Sequence, residues 1–301
     1  MYKNDIISVL LATYNRERYL KETLLSVVSQ TYKYIELVIV DDGSTDNTWQ
    51  ELLKFKKEYA GRFTDILLRK QKNVGIGLSA INLLKLATGK YCFFIDSDDT
   101  IKPDAVYLLH KFLSGHRGYA LAVGDNEYID GNSKKFYLDK HRRHTYDIEK
   151  AVYKTRNRSL QNIRTDIDLY SENFGSYSSL VKENYILNGF LVRTEAIKKI
   201  GGFAKDAPAY DYYLMLQLSK YFKFKYIDKV LYSYRCHDDN DFSTSAILSN
   251  RVSRTLKKEL SILKNINLSG LTANAKKCIQ NNFAQIILTA RIKNLIKKKM
   301  L

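Results

Sequence analysis

The chain has few cysteines and no long apolar segment. Cys92, Cys236 and Cys278 are odd in number and widely separated among the 301 residues. Disulfide frameworks and zinc clusters need paired or closely spaced cysteines, so we expect free thiols in a reducing cytoplasm. No apolar run approaches the roughly 18 residues that span a bilayer, and the N-terminal segment does not resemble a signal peptide. The absence of low-complexity tracts argues against wholesale disorder.

Acidic residues are scarce in the last part of the chain. The net charge is +17, and +11 of it lies in residues 245–301, where Glu259 is the one acid. Residues 1–244 carry the remaining +6. This change in composition predicts a boundary near residue 245, between a main domain and a basic C-terminal region.

Strand-like and helix-like segments alternate over the first hundred residues, which predicts an α/β fold with a parallel sheet. The expected strands are residues 6–12, 35–40, 66–68 and 91–95, and the expected helices are residues 16–30 and 78–87 with one between them capped by Ser44 or Thr45. Pro103 is placed to open the next helix. Residues 131–185 show weak periodicity and predict long loops with short helices. Further elements are expected at residues 119–129, 187–193, 212–222 and 229–234, followed by a helical tail.

Carboxylates directly follow two of these apolar strands. Asp41 and Asp42 end one strand, and Asp96, Asp98 and Asp99 end another. Ligands of open α/β sheets bind at the carboxyl ends of the strands. Several carboxylates brought together there repel one another unless a divalent cation neutralises them. The sequence therefore predicts a metal and the phosphates that it would hold. The alternative is an ordinary capping acid at Asp41-Asp42 and a solvated acidic loop at residues 96–99.

Several short motifs follow one another over roughly residues 5–243. They are Ile7 to Arg16, Val40 to Asp46, Asn73-Val74-Gly75 with Asn82, Ala87 to Tyr91, Ile95 to Asp99, Gly201-Gly202-Phe203 before Ala209 to Tyr212, and Tyr234 to His237 with Asn240 and Ser243. In this order they resemble the motifs of family 2 glycosyltransferases. The resemblance implies the GT-A fold, a Rossmann-like, mostly parallel sheet flanked by helices. It implies a nucleotide-sugar half at residues 1–129 and an acceptor half at 130–244, and the change in composition predicts a C-terminal helical extension at 245–301.

The resemblance also implies the roles of individual residues. Mn²⁺ or Mg²⁺ would be held by Asp98 as the leading ligand, with Asp96, Asp99 and His237. The nucleotide would contact Thr13, Tyr14, Asn15, Arg16, Asp41, Asp42, Asn73, Gly75, Asp96, Ser97 and Arg235. The Asp42 carboxylate can accept a hydrogen bond from the ring N–H of uracil, and Arg235 can pair with the diphosphate. Structural roles for His237 and Arg235 are the alternative. The Gly75-Ile76-Gly77 spacing matches neither a P-loop nor a dinucleotide fingerprint, so we interpret it as a turn.

Asp211 is the candidate general base for the acceptor hydroxyl. Its apolar neighbours, such as Ala209 and Tyr212, are expected to raise its pKa. Tyr210 stands where the family usually has a second acid. A simple N-cap for the following helix is the competing explanation of Asp211.

The tail combines an apolar stripe from Ile279 to Leu295 with many lysines. It predicts a basic helix on an anionic membrane surface or, alternatively, a helix packed on the enzyme with a solvated basic face. Nucleic acid is not an expected partner, because no recognition helix or stacking platform accompanies these charges.

These features together predict a cytoplasmic, peripherally membrane-bound glycosyltransferase. It would move a sugar from a nucleotide donor, expected to be a UDP-sugar, to a hydroxyl of a surface glycan or lipid-linked acceptor, and the resemblance implies that the transfer inverts the anomeric carbon. One rival is a sugar-phosphate nucleotidyltransferase, but Leu11 to Asn15 lacks the Gly-rich triphosphate loop that it would need. Another is a non-catalytic basic adaptor on the same scaffold, against which the intact acids argue.

Overall fold

The computed structural model describes residues 5–163, 165–207, 209–237 and 251–280. The strands are β1 Ile7–Thr13, β2 Ile35–Asp41, β3 Asp65–Lys70, β4 Tyr91–Phe94, β5 Thr100–Ile101, β6 Tyr119–Asp130, β7 Lys135–Leu138, β8 His144–Thr145, β9 Phe190–Arg193 and β10 Lys223–Cys236. The helices are α1 Glu17–Val28, α2 Thr48–Tyr59, α3 Ile76–Leu86, α4 Ala105–Gly115, α5 Arg156–Ile163, α6 Tyr177–Leu180, α7 Thr194–Lys199, α8 Tyr210–Ser219 and α9 Arg251–Leu263. Residues 273–280 are also helical.

The strands form one mixed sheet in the order β3-β2-β1-β4-β9-β6-β10-β5, with β7 and β8 attached beside β6. The first four strands in this order are parallel to one another. Strand β9 runs antiparallel to both β4 and β6, while β6 and β10 are parallel. The prediction of a mostly parallel α/β sheet with flanking helices is confirmed. The reversal at β9 separates the two parallel halves.

Two apolar clusters cover the two faces of this sheet. Residues of α1, α2 and α4 contribute to one cluster, and residues of α3 and α6 to α9 contribute to the other. Strands β1 and β2 are buried along almost their whole length, as their continuous apolar sequences predict. Burial of both sheet faces fixes the strand ends, and therefore the loops that follow them, in position.

Some predicted element boundaries were wrong. Neither Ser44 nor Thr45 caps α2, which begins at Thr48 after Asn47. Helix α4 begins at Ala105, two residues after Pro103. Helix α8 begins and ends earlier than residues 212–222, and β10 extends well beyond residues 229–234 on both sides.

The described part of the basic tail packs into the same core as the main domain. Its buried apolar side chains join the cluster of α3 and α6 to α8; they are Leu256, Leu263, Leu271, Ala275, Cys278 and Ile279. The boundary near residue 245 and the stripe beyond Gln280 lie outside the described residues, so the domain division stays a prediction. Within the described ranges, no helix is long and apolar enough to cross a membrane.

Candidate functional site

The carboxyl ends of β2, β1 and β4 lie side by side because these three strands are parallel neighbours. Thr13 is paired with Asp41 in the sheet register, and the Asp42 N–H donates to the Thr13 carbonyl at 2.8 Å. On the other side of β1, the Ile95 N–H donates to the Leu10 carbonyl at 3.1 Å. The sheet thus brings residues 13–16, Asp41-Asp42 and residues 96–99 to one edge, as the sequence predicted.

The turn after β1 is fixed to the turn after β2 by hydrogen bonds. Asn15 has a positive φ of 51°, which asparagine tolerates better than most residues. Its N–H donates to Ser44 Oγ, and its Oδ1 accepts from the Thr45 N–H, each at 2.9 Å. Ser44 and Thr45 therefore hold Asn15 instead of capping α2. Tyr14 is 43% exposed at the tip of this turn.

Asp42 anchors the loop that carries Asn73 and Gly75. Its Oδ1 accepts from Gln71 Nε2 and the Val74 N–H, at 2.8 and 3.0 Å, and its Oδ2 accepts from the Gly75 N–H at 2.8 Å. Gly75 has a φ of 86°, a conformation that favours glycine. The structure therefore brings Asp42, Asn73 and Gly75 together. Recognition of uracil by Asp42 stays a prediction.

At the ends of β1 and β2, two buried polar atoms lack a hydrogen-bond partner. Thr13 Oγ1 and Asp41 Oδ2 are both enclosed and unpaired, although Lys70 Nζ approaches Asp41 Oδ2 to 3.8 Å. Buried polar atoms normally have partners, so unpaired ones need an explanation. A ligand bound at the ends of β1 and β2 would supply those partners.

The acids after β4 each have a different environment. Asp96 accepts a hydrogen bond from Asn188 Nδ2. Asp98 Oδ2 lies 3.3 Å from Arg16 Nε and 3.0 Å from His237 Nε2. Asp99 is buried and accepts from the Arg235 N–H at 2.7 Å. Ser97 is also buried, and its carbonyl accepts from Thr23 Oγ1 at 3.2 Å.

These environments separate the pKa values of the three carboxyl groups. Burial, together with the nearby negative charge of Asp98, raises the pKa of Asp96 to about 7. Burial and the charges of Asp98 and Asp96 raise the pKa of Asp99 well above its ordinary value. Burial also acts to raise the pKa of Asp98, but the hydrogen bond from His237 and the charge of Arg16 hold it below its ordinary value. Asp98 is therefore the member of the cluster that stays ionised.

The donor set fits a divalent cation that is shared with phosphates. Asp98 and His237 present one carboxylate oxygen and one ring nitrogen to the same point, 3.0 Å apart. Among the described residues, no three His, Cys, Asp or Glu side chains form a group that could hold a metal by itself. Mg²⁺ typically binds one or two carboxylates plus substrate phosphates and water, without an all-protein cage. Asp98 and His237 fit that arrangement, and Asp96 and Asp99 lie beside it, where a bound cation would favour their ionised forms.

The structure does not support direct contact between the Arg235 side chain and a diphosphate. The side chain is fully buried, and its guanidinium stacks on the Tyr19 ring. It donates to the Asp98 carbonyl, to Ser133 Oγ at 2.7 Å and to Glu22 Oε2 at 2.6 Å. Because these protein acceptors surround the guanidinium, the structure assigns Arg235 to positioning the acidic loop.

Asp211 lies in the first turn of α8 at the same site. The Asn184 Nδ2 atom lies 3.4 Å from Asp211 Oδ2. The negative charge of Asp211 contributes to the raised pKa of Asp96. Burial raises the pKa of Asp211 itself, as its apolar neighbours predicted. The N-cap position of α8 is occupied by Ala209, so Asp211 is not the N-cap residue.

Sequence reasoning missed three polar residues that complete the site. Asn188 binds Asp96 and approaches Arg156, Asn184 approaches Asp211, and the Arg156 guanidinium lies over the Tyr234 ring at 4.2 Å. Arg156 and Asn184 belong to the segment with weak periodicity, and Asn188 lies in the element predicted at residues 187–193, but no motif marked any of the three. The Asn188-Gly189 pair before β9 was the available signal, since Gly189 has a φ of 76°.

Comparisons with known proteins agree with this geometry. The family model described as glycosyl transferase family 2 matches residues 8–176. Glycosyltransferase GlyA of Streptococcus pneumoniae is 36% identical over 138 residues, which is 46% of this chain and 19% of GlyA. The Escherichia coli protein WfaP, named a UDP-Glc:α-D-GlcNAc-diphosphoundecaprenol β-1,3-glucosyltransferase, is 37% identical over 95 residues, 32% of this chain and 36% of WfaP. The matched stretches cover 19% to 51% of the first curated relatives.

Solved structures show the same fold. TarS of S. aureus in complex with UDP-GlcNAc aligns with a TM-score of 0.66 at 18% identity, over 94% of this chain and 72% of that one. The mannosyltransferase PcManGT from Pyrobaculum calidifontis, in complex with GDP-Man and Mn²⁺, aligns with a TM-score of 0.63 at 15% identity, over 95% of this chain and 73% of that one. At these identities the likeness concerns the fold.

Proposed function

The chain belongs to glycosyl transferase family 2, and from this premise we propose that it transfers a sugar from a UDP-sugar to a hydroxyl of a surface glycan or lipid-linked acceptor. The observation that carries the proposal is the meeting of three features at one sheet edge. These are the unpaired atoms of Thr13 and Asp41, the acids after β4 with Arg16 and His237, and the Asp211 carboxyl group, whose pKa is raised.

The nucleotide binds across the ends of β1 and β2. The unpaired Thr13 Oγ1 and Asp41 Oδ2 take up its ribose or base, and the loop held by Asp42 covers it. A carboxylate acceptor suits uracil, which has a ring N–H to donate, and disfavours cytosine and adenine, which lack one. UDP donors also appear in the names of WfaP and of the TarS complex, whereas the PcManGT complex contains GDP-Man.

A divalent cation, Mn²⁺ or Mg²⁺, would be held by Asp98 and His237, with Asp96 and Asp99 beside them, where the cation would favour their ionised forms. When bound, it neutralises the diphosphate as that group leaves, an effect worth several kcal/mol in the transition state. Arg16 contributes a further positive charge beside Asp98. Arg235 keeps the acidic loop in place by binding the Asp98 carbonyl and the Asp99 carboxylate.

Asp211 acts as the general base. In a single in-line displacement the acceptor oxygen attacks the anomeric carbon, the bond to the nucleoside diphosphate breaks, and Asp211 takes the hydroxyl proton. The configuration at the anomeric carbon is thereby inverted. A general base is most effective when its pKa lies near the operating pH, and burial raises the pKa of Asp211 in that direction.

The proposal also includes a lipid-linked acceptor and binding of the enzyme to the membrane surface. WfaP is named for a diphosphoundecaprenol-linked sugar, which is a membrane lipid acceptor. We expect the lysines near residues 291–299 to attract the enzyme to anionic lipid, because surface cations contribute about 1 kcal/mol each.

Nucleotide binding tests the donor site without knowledge of the acceptor. We expect calorimetry to show UDP binding in Mn²⁺ that is lost in EDTA and strongly weakened in Asp98→Asn. Asp104→Asn is the matched control, because Asp104 pairs with Lys229 outside the site and should leave UDP affinity unchanged. Equal UDP affinity in Mn²⁺ and EDTA would contradict the metal-dependent donor site, and preference for GDP would contradict the assignment of the base.

A further inference from the structure

Helix α9 packs along α8, the helix that carries Asp211 in its first turn. Thr255 and Glu259 lie four residues apart on α9 and therefore share one face of it. Both side chains are completely buried. Each contacts α8, one at its beginning and the other near its end. This part of the chain lies beyond the residues that the family model matches.

Thr255 binds Ala209, the residue directly before α8. The Ala209 N–H donates to Thr255 Oγ1 at 3.2 Å, and the Thr255 hydroxyl donates to the Arg251 carbonyl at 2.8 Å. Ala209 is the N-cap residue of α8 and stands two positions before Asp211. The α8 N-cap has no side-chain capping bond of its own. The threonine of α9 therefore supplies a contact that fixes the backbone leading into the first turn.

Glu259 binds the other end of α8 through a buried polar network. It accepts from Gln217 Nε2 at 2.7 Å, from Lys220 Nζ at 2.7 Å and from the Tyr177 hydroxyl at 2.6 Å. Lys220 also donates to Gln217 Oε1 at 2.9 Å. Removing one partner of a buried charged pair is strongly destabilising, because the other partner is left unpaired in the interior. Helix α8 is therefore held in both position and rotation.

The start of α9 also affects the charge of Asp211. Burial is the larger influence and raises the pKa of Asp211, whereas the positive charge of Arg251 opposes that increase. The same helix thus holds the backbone before Asp211 and brings a cation toward its carboxylate.

We propose that α9 is a positioning element for Asp211, in which Thr255 fixes the first turn of α8 and Glu259 fixes its far end. The inference rests on the proposed role of Asp211 as general base. It makes Thr255, Glu259 and Gln217 positioning residues of the reaction, although none of them contacts substrate. A small displacement of a catalytic group can lower the rate about 100-fold, so the effect should appear in turnover.

The test compares Thr255→Val, which keeps the shape and removes the hydroxyl, with Thr255→Ser, which keeps the hydroxyl. The probes are UDP-glucose, UDP-galactose, UDP-N-acetylglucosamine and UDP-glucuronate with Mn²⁺, and the signal is UDP release. We expect Thr255→Val to lower kcat about tenfold or more. UDP affinity should remain within about twofold, and Thr255→Ser should recover the rate. The backbone amides of residues 209–213 should exchange with deuterium faster in Thr255→Val than in the wild type or in Thr255→Ser.

A second variant covers the case in which Thr255→Val fails to fold. At similar volume, Gln217→Met removes the hydrogen bond that the Gln217 amide donates to Glu259 and the one that it accepts from Lys220. It should also lower kcat without changing UDP affinity. Wild-type kcat in either folded variant, accompanied by a lower Tm, would overturn the inference and leave α9 a purely structural helix.

A double-mutant cycle with Asp211→Asn separates this inference from the proposed function. If α9 acts through Asp211, Thr255→Val should cause no further loss of kcat in the Asp211→Asn background. If Asp211→Asn alone leaves kcat unchanged, the base assignment fails and the inference fails with it. If Asp211→Asn lowers kcat and Thr255→Val does not, the inference alone is wrong.

Discussion

Replacing Asp96 by asparagine should stabilise the metal-free protein at neutral and alkaline pH. The folded protein raises the pKa of Asp96 from 3.8 to about 7, so ionising this carboxyl in the folded state is costly. A shift of this size corresponds to about 4 kcal/mol, at roughly 1.4 kcal/mol per pH unit, as an upper limit for a side chain that is not fully enclosed. The introduced amide keeps the shape of the carboxyl group and retains an oxygen that accepts from Asn188 Nδ2. A chain of this size should gain roughly 2 °C in Tm per kcal/mol.

The stability gained by Asp96→Asn should depend on pH. Between pH 4 and 7 the unfolded chain loses the Asp96 proton while the folded protein keeps it, so the stability of the wild type falls as pH rises through this range. The gain from Asp96→Asn should therefore be largest above pH 7 and close to zero near pH 4. Thermal unfolding in EDTA at pH 4.5, 6 and 8 measures it. The control is Asp104→Asn, which should change stability by less than about 1 kcal/mol at each pH. A gain that is equal at pH 4.5 and pH 8, or a loss at pH 8, would refute this reasoning.

Four further predictions follow from the same contacts. Asp98→Asn should lower the stability of the metal-free protein at pH 7, the opposite of the effect of Asp96→Asn. The pKa of Asp98 is depressed in the folded protein, so its ionised form stabilises the fold above pH 4, and this contribution is lost as pH falls. An increase in Tm would contradict this prediction. Asp211→Asn should lower kcat by roughly 10²- to 10⁴-fold while UDP affinity stays unchanged, and loss of UDP binding with normal kcat would reassign the residue. Arg235→Lys should lower Tm and weaken UDP binding in Mn²⁺ together, since a lysine cannot replace its several bonds; weaker UDP binding at unchanged Tm would point to direct diphosphate contact. Removing residues 281–301 should release the enzyme from anionic liposomes, with salt-sensitive binding before truncation, whereas an insoluble product would show that the segment belongs to the fold.

The truncation point illustrates what the structure adds to the sequence. From the sequence, the apolar stripe from Ile279 to Leu295 predicts either a membrane helix or a helix packed on the enzyme, and nothing in it marks where a truncation should begin. Ala275, Cys278 and Ile279 are buried in the core of the described protein, so a cut before them would expose apolar surface. Periodicity alone shows that a helix face is apolar, but it does not show what covers that face.

The sheet edge and its acids were predictable because each depends on local sequence. Short apolar strands ending in acids, with helices between them, place Asp41, Asp42 and residues 96–99 at one edge whatever happens later in the chain. The partners of those acids come from distant segments. Asn188 and His237 reach Asp96 and Asp98 only through the order of strands β4, β9, β6 and β10, which no local pattern specifies.

Arg235 shows the same limit for a single side chain. The sequence places an arginine at the end of a strand beside His237, where a phosphate contact is plausible. Its acceptors are Glu22 and Ser133, which lie 213 and 102 residues away in the chain. Whether an arginine faces a ligand or the interior depends on such distant packing, and motif order carries no information about it.

Release of nucleoside diphosphate from a panel of nucleotide sugars tests the central claim most directly. The panel contains UDP-glucose, UDP-galactose, UDP-N-acetylglucosamine, UDP-glucuronate and GDP-mannose, each with Mn²⁺ and with EDTA. We expect one or more UDP-sugars to release UDP in Mn²⁺, with no release in EDTA or in Asp98→Asn. Undiminished release in EDTA, or in Asp98→Asn with Mn²⁺, would contradict the metal-dependent mechanism.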